Sequence, residues 1–196
     1  MVLSLKLDIL ETERLIIRPF APDDLDDIHR ILNEAFGTVD YADRREWLAW
    51  AVMNPTALER LRQPPYGDRA VELKASSTLI GSVGLVPSCG PFDKLPYFRA
   101  RSVTPPSGLF TPEMGMFWAL GANHRGQGYV TEAARALIAV VFDELGWKRV
   151  VAMTEYGNAA SVAVMKRLGM TIERNPDPTP EWFQIVGVLE NPKAQL

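Results

Sequence analysis

One helical pattern near the middle of the chain constrains the fold more than any other feature. Val130, Ala133, Ala134, Leu137, Ile138, Val141, Phe142 and Leu145 recur at i, i+3, i+4 and i+7 without a gap, which predicts a helix with one face buried along its whole length. Gly146 stands where a left-handed cap would end it. Before this helix lies an alternating stretch, Glu113 to Leu120. Glu113, Gly115, Phe117 and Ala119 fall on one side of it, and Met114, Met116, Trp118 and Leu120 on the other. Both sides are largely apolar, so this strand is expected at the centre of a sheet. Arg125-Gly126-Gln127-Gly128-Tyr129 joins the two elements. A strand, a glycine-bearing loop and a helix start bring unpaired backbone N–H groups and the positive end of a helix dipole to one point, which suits an anion. Gly126 and Gly128 have no side chain to hold a phosphate away, and Arg125 adds a formal positive charge. The spacing is neither a Walker loop nor a full Gly-x-Gly-x-x-Gly dinucleotide fingerprint, whose sixth position here is Thr131.

The flanking sequence predicts further strands and helices. Leu15-Ile16-Ile17 reads as a strand, and Pro22-Asp23-Asp24 opens a helix carrying Leu25, Ile28, Leu32 and Ala35 at helical spacing. A second helix is expected over Arg44 to Met53, ended by Asn54-Pro55. Arg69 to Ala75 and Leu79 to Val86 read as strands joined by Ser76-Ser77-Thr78. Trp147 to Thr154 is strand-like, and a shorter helix covers about Ala159 to Leu168, with Asn158 as its N-cap and Gly169 just beyond. Met170 to Arg174 and Phe183 to Leu189 are the last expected strands. Pro87 to Pro112 shows no usable period, so a long loop is expected at about 87–112. A lid or an interface arm fits it, and so does an irregular surface excursion.

A chain of 196 residues fits one domain over 1–196. With 47% hydrophobic and 23% charged residues, it is not a disordered composition. A net charge of −3 argues against a nucleic-acid partner, whose phosphates demand many cations. The longest apolar run, Ala136 to Phe142, is too short for a bilayer, and Lys6 and Asp8 interrupt any signal-peptide core. No membrane association is expected, and the expected location is cytoplasmic. Cys89 is alone, which leaves no intrachain disulfide.

Three blocks occur in a telling order and spacing: Glu13-Arg14-Leu15-Ile16-Ile17-Arg18, Gly115 to Ala134, and Asn158-Ala159-Ala160-Ser161 through Lys166-Arg167-Leu168-Gly169-Met170. Over nearly the whole chain this resembles the GNAT N-acetyltransferases, above all the branch of ribosomal-protein N-terminal acetyltransferases. The resemblance implies a mixed α/β (α+β) fold with a central, mostly antiparallel twisted sheet flanked by helices. It also implies acetyl-coenzyme A as cosubstrate, no metal, and transfer of acetyl to a primary amine by direct attack. The family signature Gln/Arg-x-x-Gly-x-Gly/Ala maps onto Asn123-x-x-Gly126-x-Gly128, with Asn123 departing at the first position. By this likeness the coenzyme lies on His124, Arg125, Gly126, Gln127, Gly128, Tyr129, Val130 and Thr131, with its pantetheine arm along Trp118, Ala119 and Leu120.

Asn158 and Ser161 resemble the residues that face the pantetheine side of the family's cleft, and they read equally well as the N-cap and N3 of a helix. Where many relatives carry a tyrosine to protonate the departing thiolate, this chain has Met165, whose thioether has no proton to give. Glu113 is the candidate base, because an amine arrives mostly as ammonium and must lose a proton before attack. A solvated strand-end glutamate is the other reading of it. His29 and His124 have weaker claims. The acceptor is left open between a protein N-terminus and a small-molecule amine such as an amino acid, a polyamine or an aminoglycoside-like compound. A non-catalytic acyl-coenzyme A binding or sensing module is the alternative function, and homodimerisation through the 87–112 arm a further reading.

Overall fold

The structure, a computed structural model, describes Leu7 and residues 9–195. Lys6 and Asp8, which bear on the signal-peptide reading, lie outside the described residues. The chain divides into two compact units, one of Met1–Val86 with Phe117–Gly146, the other of Pro87–Met116 with Trp147–Leu196.

In the first unit, β1 (Leu10–Glu11), β2 (Leu15–Arg18), β3 (Gly67–Leu73) and β4 (Thr78–Gly90, continuing into the second unit) pair antiparallel in succession. Leu15 and Ile17 are fully buried on the inner side of β2. Between β2 and α1 (Leu25–Phe36) the chain makes a 3-10 turn at Pro22–Asp24. The Asp24 carboxylate fixes that turn by accepting from the Ala21 backbone N–H at 2.7 Å and from both terminal nitrogens of Arg18 at 2.8 Å. Phe20, Ile28, Ile31, Leu32, Leu48, Ala51, Ala70, Leu79 and Ala119 form one apolar cluster beneath the helices.

The second helix, α2 (Tyr41–Arg60), runs straight through Pro55, which corrects the expectation that Asn54-Pro55 ends it. Proline there removes one backbone hydrogen bond. The residues beyond it bury Leu58, and the buried Asn54 amide donates to the Tyr66 carbonyl at 2.7 Å. Packing on both sides of the break outweighs the missing bond. The strongly periodic helix is α4 (Tyr129–Asp143), with Ala133, Ala134, Leu137 and Val141 fully buried and Gly146 left-handed three residues past its end.

In the second unit, β5 (Thr111–Leu120, whose last four residues belong to the first unit) pairs in parallel with β6 (Arg149–Thr154) through Gly115 opposite Val151. β6 pairs antiparallel with β8 (Ile185–Glu190), which pairs antiparallel with β7 (Thr171–Arg174). The fold is therefore mixed α/β, with helices and a mostly antiparallel sheet. The segment expected to be loop over 87–112 carries structure in its first half. β4 continues to Gly90, a 3-10 turn spans Phe92–Lys94, and α3 spans Pro96–Arg99. Phe92, Leu95 and Phe98 make this possible by joining Val151, Phe183, Val186 and Val188 in a second apolar cluster. The irregular remainder is tethered by Asp93, whose carboxylate accepts from Ser107 N and Oγ at 2.6 and 2.7 Å and from Gly108 N at 3.2 Å. Among the described residues, no helix is long and apolar enough to cross a membrane.

Candidate functional site

β5 enters the first unit at Phe117 and ends at Leu120, with Ala119 and Leu120 buried and Trp118 half-buried. Its neighbour β4 approaches so closely that a Cβ at Gly81 would stand 2.3 Å from the Ala119 carbonyl oxygen. Past Leu120, Gly121 donates its N–H to the Ile80 carbonyl at 3.0 Å, and Ala122–His124 form a 3-10 turn. Gly126 and Gly128 then adopt φ of +76° and +85°, a region that favours glycine over residues with a Cβ. A Cβ at Gly126 would meet no atom within 4 Å, so this face of the loop is open. Gly128 is the N-cap of α4, and no side chain caps the first turn. At Gly128 a Cβ would instead meet Arg14 Nη2 at 3.5 Å. A helix start without a side-chain cap, at the positive end of the dipole and just past an open loop, suits an anion.

The expected side-chain charge of this loop is turned elsewhere. Arg125 donates from Nε to the Leu120 carbonyl at 3.1 Å and from Nη2 to the Glu34 carbonyl at 3.4 Å. The Glu34 carboxylate in turn accepts the Ala122 N–H at 2.8 Å. Arg125 thus shapes the loop through carbonyl groups. Gln127 folds back onto the Asn123 carbonyl at 3.2 Å, Thr131 is buried, and His124, Tyr129 and Val130 are half-buried.

Arg14 and Glu132, whose partnership no local sequence pattern signals, brace the loop. Glu132, in the first turn of α4, accepts from Thr12 Oγ1 at 2.6 Å, Arg14 N at 2.9 Å, Arg14 Nε at 2.7 Å and Arg14 Nη2 at 2.6 Å. From the same guanidinium, Nη1 donates to the Gln127 carbonyl at 3.1 Å, and the group lies 4.5 Å from the centre of the Tyr129 ring. Desolvation works against the Glu132 charge, but the bonds from Thr12 and Arg14 outweigh it and hold the carboxyl below its ordinary value. Arg14 belongs to the opening block that carries the family resemblance. Only the fold shows that its partner is 118 residues away.

The remaining sequence-predicted residues lie in the second unit. Asn158 is the N-cap of α5 (Ala159–Arg167), its Oδ1 accepting the Ser161 N–H at 3.0 Å. Met165 is fully buried and packs on the bare backbone of Gly187, where a Cβ would come within 3.0 Å of its Sδ. Tyr156 donates its hydroxyl to the Asn175 carbonyl. Glu113 is gripped at both oxygens by Arg149, at 2.9 Å from Nε and 2.5 Å from Nη2. The pair follows from the strand register, since residues two before Gly115 and Val151 share a side of two parallel strands. Burial opposes the Arg149 charge, and Glu113, with smaller contributions from Tyr97 and Glu190, outweighs it, so the guanidinium sits above its ordinary value. Arg149 also stacks on Phe98 at 4.8 Å. Beside it, burial first and Glu190 second push the Tyr97 phenol up to about 12.

Comparison with known proteins agrees with this construction. The Acetyltransferase (GNAT) domain family matches residues 14–171. The uncharacterized N-acetyltransferase YnaD of Bacillus subtilis (strain 168) is 36% identical over 66 residues, a stretch that covers 34% of this chain and 38% of YnaD. The match thus spans well under half the length of that relative. Two solved structures share the fold at low identity. Ribosomal-protein-S5-alanine acetyltransferase from Vibrio fischeri gives a TM-score of 0.65 at 17% identity, covering 94% of this chain and 97% of that one. The microcin C7 self immunity acetyltransferase MccE, solved in complex with acetyl-CoA and AMP, gives a TM-score of 0.62 at 16% identity, covering 94% and 96%. The family match begins at Arg14, beneath the glycine loop, and takes in that loop, α4 and α5, so this chain belongs to the GNAT acetyltransferase family.

Proposed function

We propose that the protein is an acetyl-coenzyme A-dependent N-acetyltransferase that acetylates a primary amine. The observation that carries the reading is the uncapped start of α4, preceded by left-handed Gly126 and Gly128, with open space at Gly126 and the Arg14 guanidinium beside Gly128. In this reading the loop over Arg125 to Thr131 holds the coenzyme's phosphates, and Trp118 to Leu120 lie along its pantetheine arm. MccE, solved with acetyl-CoA, has the same fold, which supports the choice of coenzyme.

The bound coenzyme supplies a thioester carbonyl as electrophile. The amine nitrogen forms a bond to that carbon, the carbon–sulfur bond breaks, the sulfur leaves with the electron pair, and the proton the bonded nitrogen then sheds passes to the departing thiolate. Before attack the ammonium must give up a proton, and Glu113 is the proposed acceptor. An ionised carboxylate has about four lone-pair sites, so the two bonds from Arg149 leave room for an incoming N–H. The thiolate leaves without a dedicated acid. Met165 has no proton to donate, and the Tyr156 hydroxyl is directed at a backbone carbonyl. A thiol of ordinary pKa, roughly 8.5, is a tolerable leaving group unaided.

Met165 also favours a second reading, a sensing module that binds acyl-coenzyme A without turnover. Thiol release from acetyl-coenzyme A in the presence of pooled amines and peptides separates the two. Amine-dependent release with an acetylated product supports the enzyme. Coenzyme binding with no amine-dependent release by any pool would leave the sensor.

A further inference from the structure

Arg44 sits in the first turn of α2 and is buried at 8% exposure. Among the described residues no ion pair includes it. Its Nε has no hydrogen-bond partner, and its Nη2 reaches only Asn33 Oδ1, at 3.4 Å. Trp47 lies 5.4 Å from the guanidinium. The same Asn33 oxygen accepts the Val39 N–H at 3.2 Å, which fixes the amide so that its Nδ2 faces His29 Nε2 at 3.2 Å. With Nδ2 donating, Nε2 is the acceptor, and the ring proton of a neutral His29 is on Nδ1. That nitrogen is also buried without a partner. Arg44 Nε and His29 Nδ1 are thus two buried donors without a hydrogen-bond partner, and His29 turns its Nδ1 away from Asn33.

A structural role explains this poorly. A cation in the first turn of a helix opposes the macrodipole, and a buried charge without an ion-pair partner and an unmade buried hydrogen bond each cost stability. Burial alone pulls the Arg44 guanidinium below its ordinary value. What the Arg44 guanidinium lacks is an anionic acceptor.

We infer that Arg44 forms a recognition site for a carboxylate carried by the acceptor amine. This rests on the acetyltransferase reading above, because the site's position ties it to that reaction. Leu48 and Ala51 follow Arg44 on α2 and share one apolar cluster with Ala119 of β5, against which Trp47 and Phe117 also pack. That strand is the proposed bed of the pantetheine arm. The Nε and Nη2 hydrogens form one edge of the guanidinium, a two-pronged match for a carboxylate. Tyr41, 40% exposed and edge-on to His29 at 5.0 Å, is the neighbouring surface side chain, and its hydroxyl donates to the Asp26 carboxylate at 2.5 Å.

The test pairs acceptors that differ only in charge: glycine with glycinamide, and a glycine dipeptide with its C-terminal amide, each followed by thiol release. Phosphoethanolamine and spermidine serve as phosphate-bearing and anion-free amines. The wild type should prefer the free carboxylates by about tenfold or more in kcat/KM. Arg44→Gln should erase that preference through acceptor KM, leave KM for acetyl-coenzyme A unchanged, and melt no lower than the wild type. Equal use of acids and amides, an unchanged preference in Arg44→Gln, or selective use of phosphoethanolamine overturns the inference. So does a lower melting temperature with selectivity intact, which marks a structural arginine. Calorimetry with a set of N-acetyl amino acids and their amides needs no turnover. If no amine is acetylated, acid-selective binding lost in Arg44→Gln still supports the site, and binding indifferent to the carboxylate ends it.

Discussion

Replacing Glu132 with glutamine tests the brace beneath the glycine loop. The substitution keeps size and shape, but it exchanges a carboxylate that accepts four bonds for an amide whose NH2 faces donors from Thr12 and Arg14. A shielded charge-assisted hydrogen bond contributes about 1.5–3 kcal/mol, and an exposed ion pair well under 1 kcal/mol. The Arg14 side chain is 41% exposed and that of Glu132 18%, so screening places the whole set near the lower figures, at about 2 kcal/mol. For a chain of this size each kcal/mol lowers the melting temperature by about 2–4 °C, so a loss of roughly 4–8 °C is expected at pH 7. The pH dependence identifies the cause. A carboxyl held below its ordinary value contributes stability that is complete above the unfolded value near 4.3 and fades as pH falls through the lower folded value. Wild type and variant should therefore converge in acid, where the native glutamate is protonated as well. Urea unfolding followed by tryptophan fluorescence at neutral and acidic pH measures both points. Calorimetry should show coenzyme A affinity weakened several-fold as the Gln127 carbonyl loses its anchor. Identical midpoints at pH 7, or a gap that stays constant into acid, would refute the reasoning.

Other outcomes are equally specific. Gly128→Val forces a β-branched residue to φ +85°, a strain of about 1–2 kcal/mol, and should weaken coenzyme A binding while the protein stays folded. Unchanged affinity by calorimetry would count against the loop. Met165→Leu, nearly volume-conserving, should retain most turnover and cost less than about 1.5 kcal/mol, and a collapse of activity in a folded variant would assign that sulfur a chemical role. Glu113→Gln should lower turnover at neutral pH by roughly 10²-fold, with the deficit narrowing as pH rises and free amine accumulates. If it lowers only stability, the carboxylate is no more than the partner of Arg149. Burial pushes the Asp68 carboxyl up to about 6, so its charged form penalises the fold increasingly between pH 4 and 6 and fully above that. Asp68→Asn should gain about 1–2 kcal/mol at pH 7, after allowance for partial exposure, and nothing below pH 4 in thermal melts.

What the sequence revealed was whatever is encoded locally. The apolar period of α4 and the glycines at 126 and 128 are each set by a few neighbouring residues, and the Asn158 cap by a partner three positions away. What it hid depends on distant partners. Pro55 is a local break signal, but the burial of Leu58 and the Asn54 bond to Tyr66 overrule it. The aromatic residues at 92 and 98 read as loop until Phe183 and Val186 supply their core. The charge of Arg125 suggested an anion partner, yet the local fold gives it carbonyl groups. The grip of Arg149 on Glu113 could be inferred only from the register of two parallel strands.

The tie between Arg14 and Glu132 has a temporal side. During synthesis at about 5–20 residues per second, residue 14 leaves the ribosome's catalytic centre roughly 6–24 s before residue 132 is added. For that interval the arginine has no carboxylate to meet, and the strand that carries it must wait beside β3 for the far end of its brace. The glycine loop cannot take its final shape until the first turn of α4 returns to a strand made 118 residues earlier. Closing so long a stretch of chain is entropically costly and slow. A coenzyme that binds only the finished loop would therefore act late in folding, drawing forward the last contacts to form.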